Sequence, residues 1–185
     1  MKKVVLIGDS IRLYGYGLIL KNYLPNDVEI YQSTDNARFS KYTLRMLFDE
    51  RANIEGADVI HWNNGEWDIC KLFGDNEPFT PLNEYLENMG KIADILLKYG
   101  KKVIFSTTTP VRKENLYNEN KVIEQYNKAV VKMLKKKGVI INDLYSVIVK
   151  DIDKYIKGDD DNIHLTAEGS IVAAESVAKI IKDNL

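Results

Sequence analysis

The sequence predicts an α/β fold, a three-layer α/β/α sandwich around a doubly wound, five-stranded parallel sheet. Two features carry this reading. Short, β-branched, apolar runs alternate with longer segments of helical period. Most of those runs are apolar on both faces, as strands covered by helices on each side must be, and regular alternation with right-handed crossovers makes the sheet parallel.

In chain order, the first strand is Lys3 to Ile7, and a helix from Ile11 to Leu24 follows until Pro25 stops it. Val28 to Tyr31 is the second strand. Tyr42 to Asn53 is an amphipathic helix with Leu44, Leu47 and Phe48 on one side. Asp58 to Trp62 is the third strand, Pro81 to Tyr99 a helix stopped at Gly100, and Lys102 to Ser106 the fourth strand. Asn118 to Lys137 is a helix closed by Gly138, and Val139 to Asn142 is the last strand. The final helix runs from Ala167 to Lys182, with Ile171, Ala174, Val177, Ala178 and Ile181 as its apolar stripe and Thr166 as its N-cap. Neither repeats nor a linker interrupt the pattern, so residues 1–185 read as a single domain.

Composition excludes several classes of function. Basic and acidic residues nearly cancel, 26 against 27, so there is no basic excess to bind a nucleic acid. The lysines at 132 and 135–137 belong to a helical pattern and read as a solvated face. With one cysteine, Cys70, and two histidines, neither an intrachain disulfide nor the usual zinc ligand sets can form. No apolar run reaches membrane-spanning length, and the four-residue run at Val4 to Ile7 is too short for a signal peptide; a cytoplasmic protein without a membrane partner is expected. The glycine patterns of nucleotide loops and the Gly-x-Ser-x-Gly elbow are absent. No metal or organic cofactor is implied.

In doubly wound sheets, sites gather in the loops at the strands' carboxyl ends. Here those are Gly8 to Ser10, Asn63 to Thr80 and Thr107 to Tyr117; the second holds Trp67, Phe73 and Phe79 and suits a wall or lid over a pocket. Gly8-Asp9-Ser10-Ile11 leaves a buried strand and opens a helix, so Ser10 would sit at the positive end of the dipole beside the backbone N–H groups of Ser10 and Ile11. On this tripeptide alone, the reading that Asp9 or Ser10 merely caps the helix comes first. Asp161-Asn162-Ile163-His164 precedes the last helix. A serine needs a base, and a histidine base needs a carboxylate to fix its tautomer; taken alone this stretch could also be a solvated acidic turn, but with Ser10 it completes what a triad requires. The other histidine, His61, falls inside a strand and reads as a packed, internally bonded side chain.

These two motifs, near opposite ends of the chain, resemble the GDSL or SGNH hydrolase superfamily. The resemblance spans nearly the whole chain and implies a flavodoxin-like three-layer sandwich and an esterase or lipase activity, many members being carbohydrate deacetylases. It implies Ser10 as nucleophile, with Asp161 and His164 completing the triad. The middle motifs depart from the family. Its Gly-x-Asn-Asp stretch, whose asparagine donates to the oxyanion, is here Asn63-Asn64-Gly65-Glu66-Trp67-Asp68, with tryptophan where asparagine belongs. Asn63 or Asn64 could supply the amide, as in the Asn-Thr-Gly-His-Trp-Trp stretch of the related polysaccharide O-acetylation proteins. The family's second oxyanion position is a glycine after the second strand. None occurs there, and Asn36, which tolerates left-handed backbone, could replace it. Arg38 could hold a substrate carboxylate or a neighbouring acid, Thr107 to Thr109 could line the pocket or form a turn, and Trp67 could face a sugar ring. The expected reaction is therefore hydrolysis of a small acyl ester, foremost an acetyl ester of a carbohydrate. An acyltransferase and a non-catalytic binding module are the competing readings on the same fold.

Overall fold

A computed structural model describes residues 1–185. Five strands, β1 (Lys2–Ile7), β2 (Val28–Gln32), β3 (Ala57–Asn63), β4 (Gly100–Ser106) and β5 (Ile140–Asn142), form one sheet in the order β2-β1-β3-β4-β5. Every pairing is parallel, with Val4 opposite Ile30 on one side and Val59 on the other. This is the flavodoxin-like order, and its switch point lies between β1 and β3.

Side-chain alternation along the strands sorts the core into two layers. Val5, Ile7, Ile60, Trp62, Val103 and Phe105 point to one face. There they meet α2 (Ser40–Asp49), α3 (Arg51–Ile54), α5 (Leu82–Tyr99) and α6 (Asn120–Lys136); α4 (Glu66–Ile69) caps the top of this layer. Val4, Leu6, Val59 and Ile104 point to the other face, against α1 (Ser10–Leu13), α7 (Leu144–Ile148) and α9 (Ala167–Lys182), with α8 (Ile152–Tyr155) alongside. Trp62 is wholly buried against Phe105 and belongs to the core.

The expected helix from Ile11 to Leu24 is instead a four-residue α1 followed by two 3₁₀ turns, Tyr16–Leu18 and Leu20–Tyr23. Gly15 breaks it with a φ/ψ of −112°/−118°, neither helical nor extended, and a Cβ there would lie 2.4 Å from the Ile11 carbonyl. The break turns Tyr16 inward beneath the site. In α2, Met46 and Leu47 face the core while Phe48 is exposed beneath the Arg45 guanidinium, which corrects the expected apolar side. That helix starts two residues early because the Asp68 carboxylate, from a distant loop, accepts the Ser40 N–H at 2.9 Å. Gly100 is not a left-handed stop. The chain runs from α5 straight into β4, and glycine is needed because a Cβ would lie 2.7 Å from Ile60. Gly138, at φ +84°, does close α6 as expected. The last helix has the expected bounds, with Thr166 Oγ1 accepting the Gly169 N–H at 3.0 Å.

Candidate active site

The Gly-Asp-Ser turn leaves β1 at the switch point. Asp9, not Ser10, is the helix cap, its Oδ1 accepting the Ile11 N–H at 3.0 Å. Ser10 is thereby released from capping; its hydroxyl makes no hydrogen bond, and its own N–H stands in the first turn, where a helix has no partner to offer. The Ile11 N–H, spent on Asp9, is not a free oxyanion donor. Burial pushes the Asp9 carboxyl up to about 6, against hydrogen bonds from Asn63 and the Ile11 N–H, and its Oδ2 has no partner.

Asp161 and His164 are held on a pinched loop. An antiparallel bridge between Ile156 and Leu165 closes its base, and Lys157 N–H donates to the His164 carbonyl at 2.8 Å. Arg112, from the loop after β4, ties the outside: its N–H donates to the Asn162 carbonyl at 3.0 Å, its Nε to the Ile156 carbonyl at 2.9 Å, and its guanidinium pairs with Asp153 at 2.7 Å. Within the loop, Asp161 Oδ1 accepts the His164 N–H at 2.7 Å, and the carboxylate faces the ring's Nδ1 at 2.9 and 3.0 Å. Burial raises the Asp161 carboxyl, but the His164 N–H and the imidazole outweigh it, and the group lies below the ordinary range. With Nδ1–H committed to the carboxylate, Nε2 carries the lone pair; it is buried and has no partner. Tyr14, just after α1, packs edge-on against the ring at 6.2 Å.

His164 opens onto a cleft of about 370 Å³ lined by Trp67, Cys70, Leu72, Tyr117 and Ile163 on its apolar side, with Glu66 and Asn118 among its polar groups. Trp67 is 41% exposed there. Phe79 and Phe73 turn the other way, Phe79 packing edge-on against Phe39 at 5.3 Å, so only part of the long loop forms a wall.

The two candidate asparagines differ sharply. Asn64 donates both amide protons inside the fold, to the Arg38 carbonyl and to Thr43 Oγ1, while its oxygen accepts from Trp62 Nε1 at 2.9 Å. It has no proton left for an oxyanion, which removes it as a donor. Asn63 is clamped beneath the Gly-Asp-Ser turn: Tyr16 donates to its Oδ1 at 3.0 Å, and its Nδ2 donates to Asp9 Oδ1 at 2.7 Å, leaving one amide proton. Gly8 is required for this approach, since a Cβ would lie 1.9 Å from Asn63 Oδ1.

At the β2 loop, the left-handed residue is Arg38 (φ +50°) rather than Asn36. The Asn36 N–H donates to Asp35 Oδ1 at 2.8 Å, so it is not a free backbone donor, although its side-chain NH₂ stays unengaged. The Arg38 side chain stacks over Tyr42 and lies 4.0 Å from Asp35, holding a neighbouring acid outside the cleft. Arg12 is the anchor sequence reasoning missed. Fully buried, it donates to the carbonyls of Ser33, Gly8 and Asp35, tying the β2 loop to the Gly-Asp-Ser turn. Nothing in its local pattern marks it, because its partners are backbone oxygens at least 20 residues away for two of the three bonds.

A parallel sheet of this order, with a helix-start serine at its switch point and a carboxylate-backed histidine over the same end, defines a flavodoxin-like α/β protein. No family model matches the chain. It is similar to the GDSL esterase/lipase WDL1 of Oryza sativa subsp. japonica, 27% identical over 161 residues that make up 80% of this chain and 62% of that one. The chain thus spans under two thirds of that relative's length. Among solved structures, the lipase/acylhydrolase of Enterococcus faecalis superposes with a TM-score of 0.80 at 20% identity over 99% of this chain and 96% of that one. The acetyl xylan esterase AlAXEase superposes with a TM-score of 0.78 at 18% identity over 97% of this chain and 99% of that one. These likenesses agree with the resemblance to the SGNH/GDSL hydrolase superfamily carried by the Gly8-Asp9-Ser10 and Asp161-Asn162-Ile163-His164 motifs.

Proposed function

We propose that this protein is a serine esterase acting on small acyl esters, foremost acetyl esters of carbohydrates. The observation that carries the proposal is the Asp161–His164 pair, which leaves a buried, unpartnered Nε2 over a cleft at the serine's end of the sheet. In the proposed reaction Nε2 takes the Ser10 proton as Oγ attacks the ester carbonyl. The Ser10 N–H and the remaining Asn63 amide proton hold the oxyanion, and Asp161 steadies the imidazolium. His164 then protonates the leaving alcohol, and water repeats the sequence on the acyl-enzyme.

The small cleft, with Trp67 and Tyr117 as faces for a ring, favours a sugar over a fatty chain, and the likeness to an acetyl xylan esterase agrees with that choice. The test is p-nitrophenyl acetate hydrolysis. The wild-type protein should release p-nitrophenol in a burst, and Ser10→Ala should lose about 10⁴-fold or more in kcat. A Ser10→Ala protein as active as wild type would remove the esterase reading.

A further inference from the structure

Glu66 and Asn118 line the same cleft but take no part in the Ser10–His164–Asp161 chemistry. Both are polar and almost wholly buried. Asn118 Nδ2 donates to the Glu66 backbone carbonyl at 3.0 Å and to Glu66 Oε2 at 2.7 Å, while Thr109 Oγ1 donates to Glu66 Oε1 at 3.2 Å. With both amide protons spent on acceptors, the orientation of the Asn118 amide is fixed and its oxygen is the free end. That Oδ1 is buried and has no partner in the protein. Buried amide oxygens are nearly always satisfied, so one left unpartnered on a residue that lines a ligand cleft points to a donor brought by the ligand. Glu66 supplies the complement. Burial, reinforced by the Asp9 carboxylate, holds its carboxyl well above the ordinary range despite the bonds from Asn118 and Thr109. That shift favours the protonated carboxyl, the form that can donate.

We propose that Glu66 and Asn118 are specificity-determining residues that grip one hydroxyl of a polyol ester, the hydroxyl donating to Asn118 Oδ1 and accepting from Glu66. A hydroxyl offers the donor and the lone pair together; an alkyl group offers neither and leaves both protein groups desolvated and unpaired. Sites built to bond a hydroxyl reject analogues lacking it far more strongly than apolar pockets discriminate by size. The assignment rests on the esterase reading above and narrows its substrate class to esters whose alcohol part carries further hydroxyls.

The test compares kcat/KM for glycerol monoacetate and propyl acetate. Wild type should prefer the glycerol ester by about tenfold or more, and Asn118→Leu should lower that ratio by about tenfold, chiefly through KM for the glycerol ester. Glu66→Gln, whose amide still donates, should keep most of the preference. Equal kcat/KM for the two esters in wild type, or an equal loss on both in Asn118→Leu, would overturn the assignment and leave the esterase reading intact. A wild-type protein inactive on both acetates and on p-nitrophenyl acetate would overturn the esterase reading itself, and this assignment with it. Should Asn118→Leu fail to fold by circular dichroism, inhibition of the wild type reads the same selectivity. Glycerol should compete better than 1-propanol, and equal inhibition would overturn the assignment.

Discussion

The protein has two histidines, and they occupy opposite kinds of surroundings. His61 lies wholly buried in β3, its Nε2 bonded to Ser106 Oγ at 2.8 Å, its ring edge-on to Tyr16 and no carboxylate behind it. Burial drives its pKa down to about 3. His164 sits on a loop with its ring partly exposed, a carboxylate at Nδ1 and nothing at Nε2. The imidazole is the same. One is a spacer in the core because its surroundings refuse the charge; the other has a carboxylate placed to share the charge, which is what its proposed role as base requires.

The sharpest way to break this contrast is to take the carboxylate away. Asp161→Asn keeps the shape but lets the amide bond to the wrong tautomer, and should cut kcat for p-nitrophenyl acetate by about 10³ to 10⁴; a loss under tenfold would show that the pairing is incidental. A milder blow loosens the loop. Arg112→Ala removes the guanidinium ties to Ile156 and Asp153. It should lower kcat/KM by about tenfold through misplacement of His164, with Arg112→Lys recovering part of it; unchanged kinetics would show that the bridge at Ile156 and Leu165 holds the loop unaided.

The smallest effect on activity belongs to the other histidine. His61→Ala should change kcat by no more than about threefold while costing roughly 2–4 kcal/mol of stability. Its pH dependence follows from the depressed pKa. Below the unfolded value near 6.5 the unfolded chain holds a proton the folded chain lacks, so the wild type loses stability there as pH falls, whereas the variant has no such group. The gap in unfolding free energy between them should therefore narrow by about 1.4 kcal/mol per pH unit below 6.5. Urea unfolding at pH 7.5 and 5.5 measures it, and a constant gap would mean that His61 titrates normally.

How much of this was legible beforehand depends on the reach of each interaction. The five strands, the final helix and the Asp-x-x-His turn are specified by neighbours in sequence, and they appear where periodicity and spacing put them. What could not be read is set by contacts across the fold. Whether Asn63 or Asn64 keeps a free proton depends on Tyr16, Asp9, Thr43 and Arg38, which come from other segments. Arg12, Arg112 and the Asp68 cap on Ser40 work through distant backbone groups that leave no local pattern. The Glu66–Asn118 pair spans 52 residues, and in the sequence Asn118 reads only as the start of a helix. The failed first helix is the exception, since Gly15 and Gly17 stood in plain view inside it.

The most direct test of the contrast is covalent labelling of the serine. Diethyl p-nitrophenyl phosphate should modify Ser10 stoichiometrically in the wild type and in His61→Ala, read by mass spectrometry of the peptide, and should leave His164→Ala unmodified over the same time. Labelling that survives loss of His164, or that vanishes with loss of His61, would contradict the assignment of residue 164 as the base.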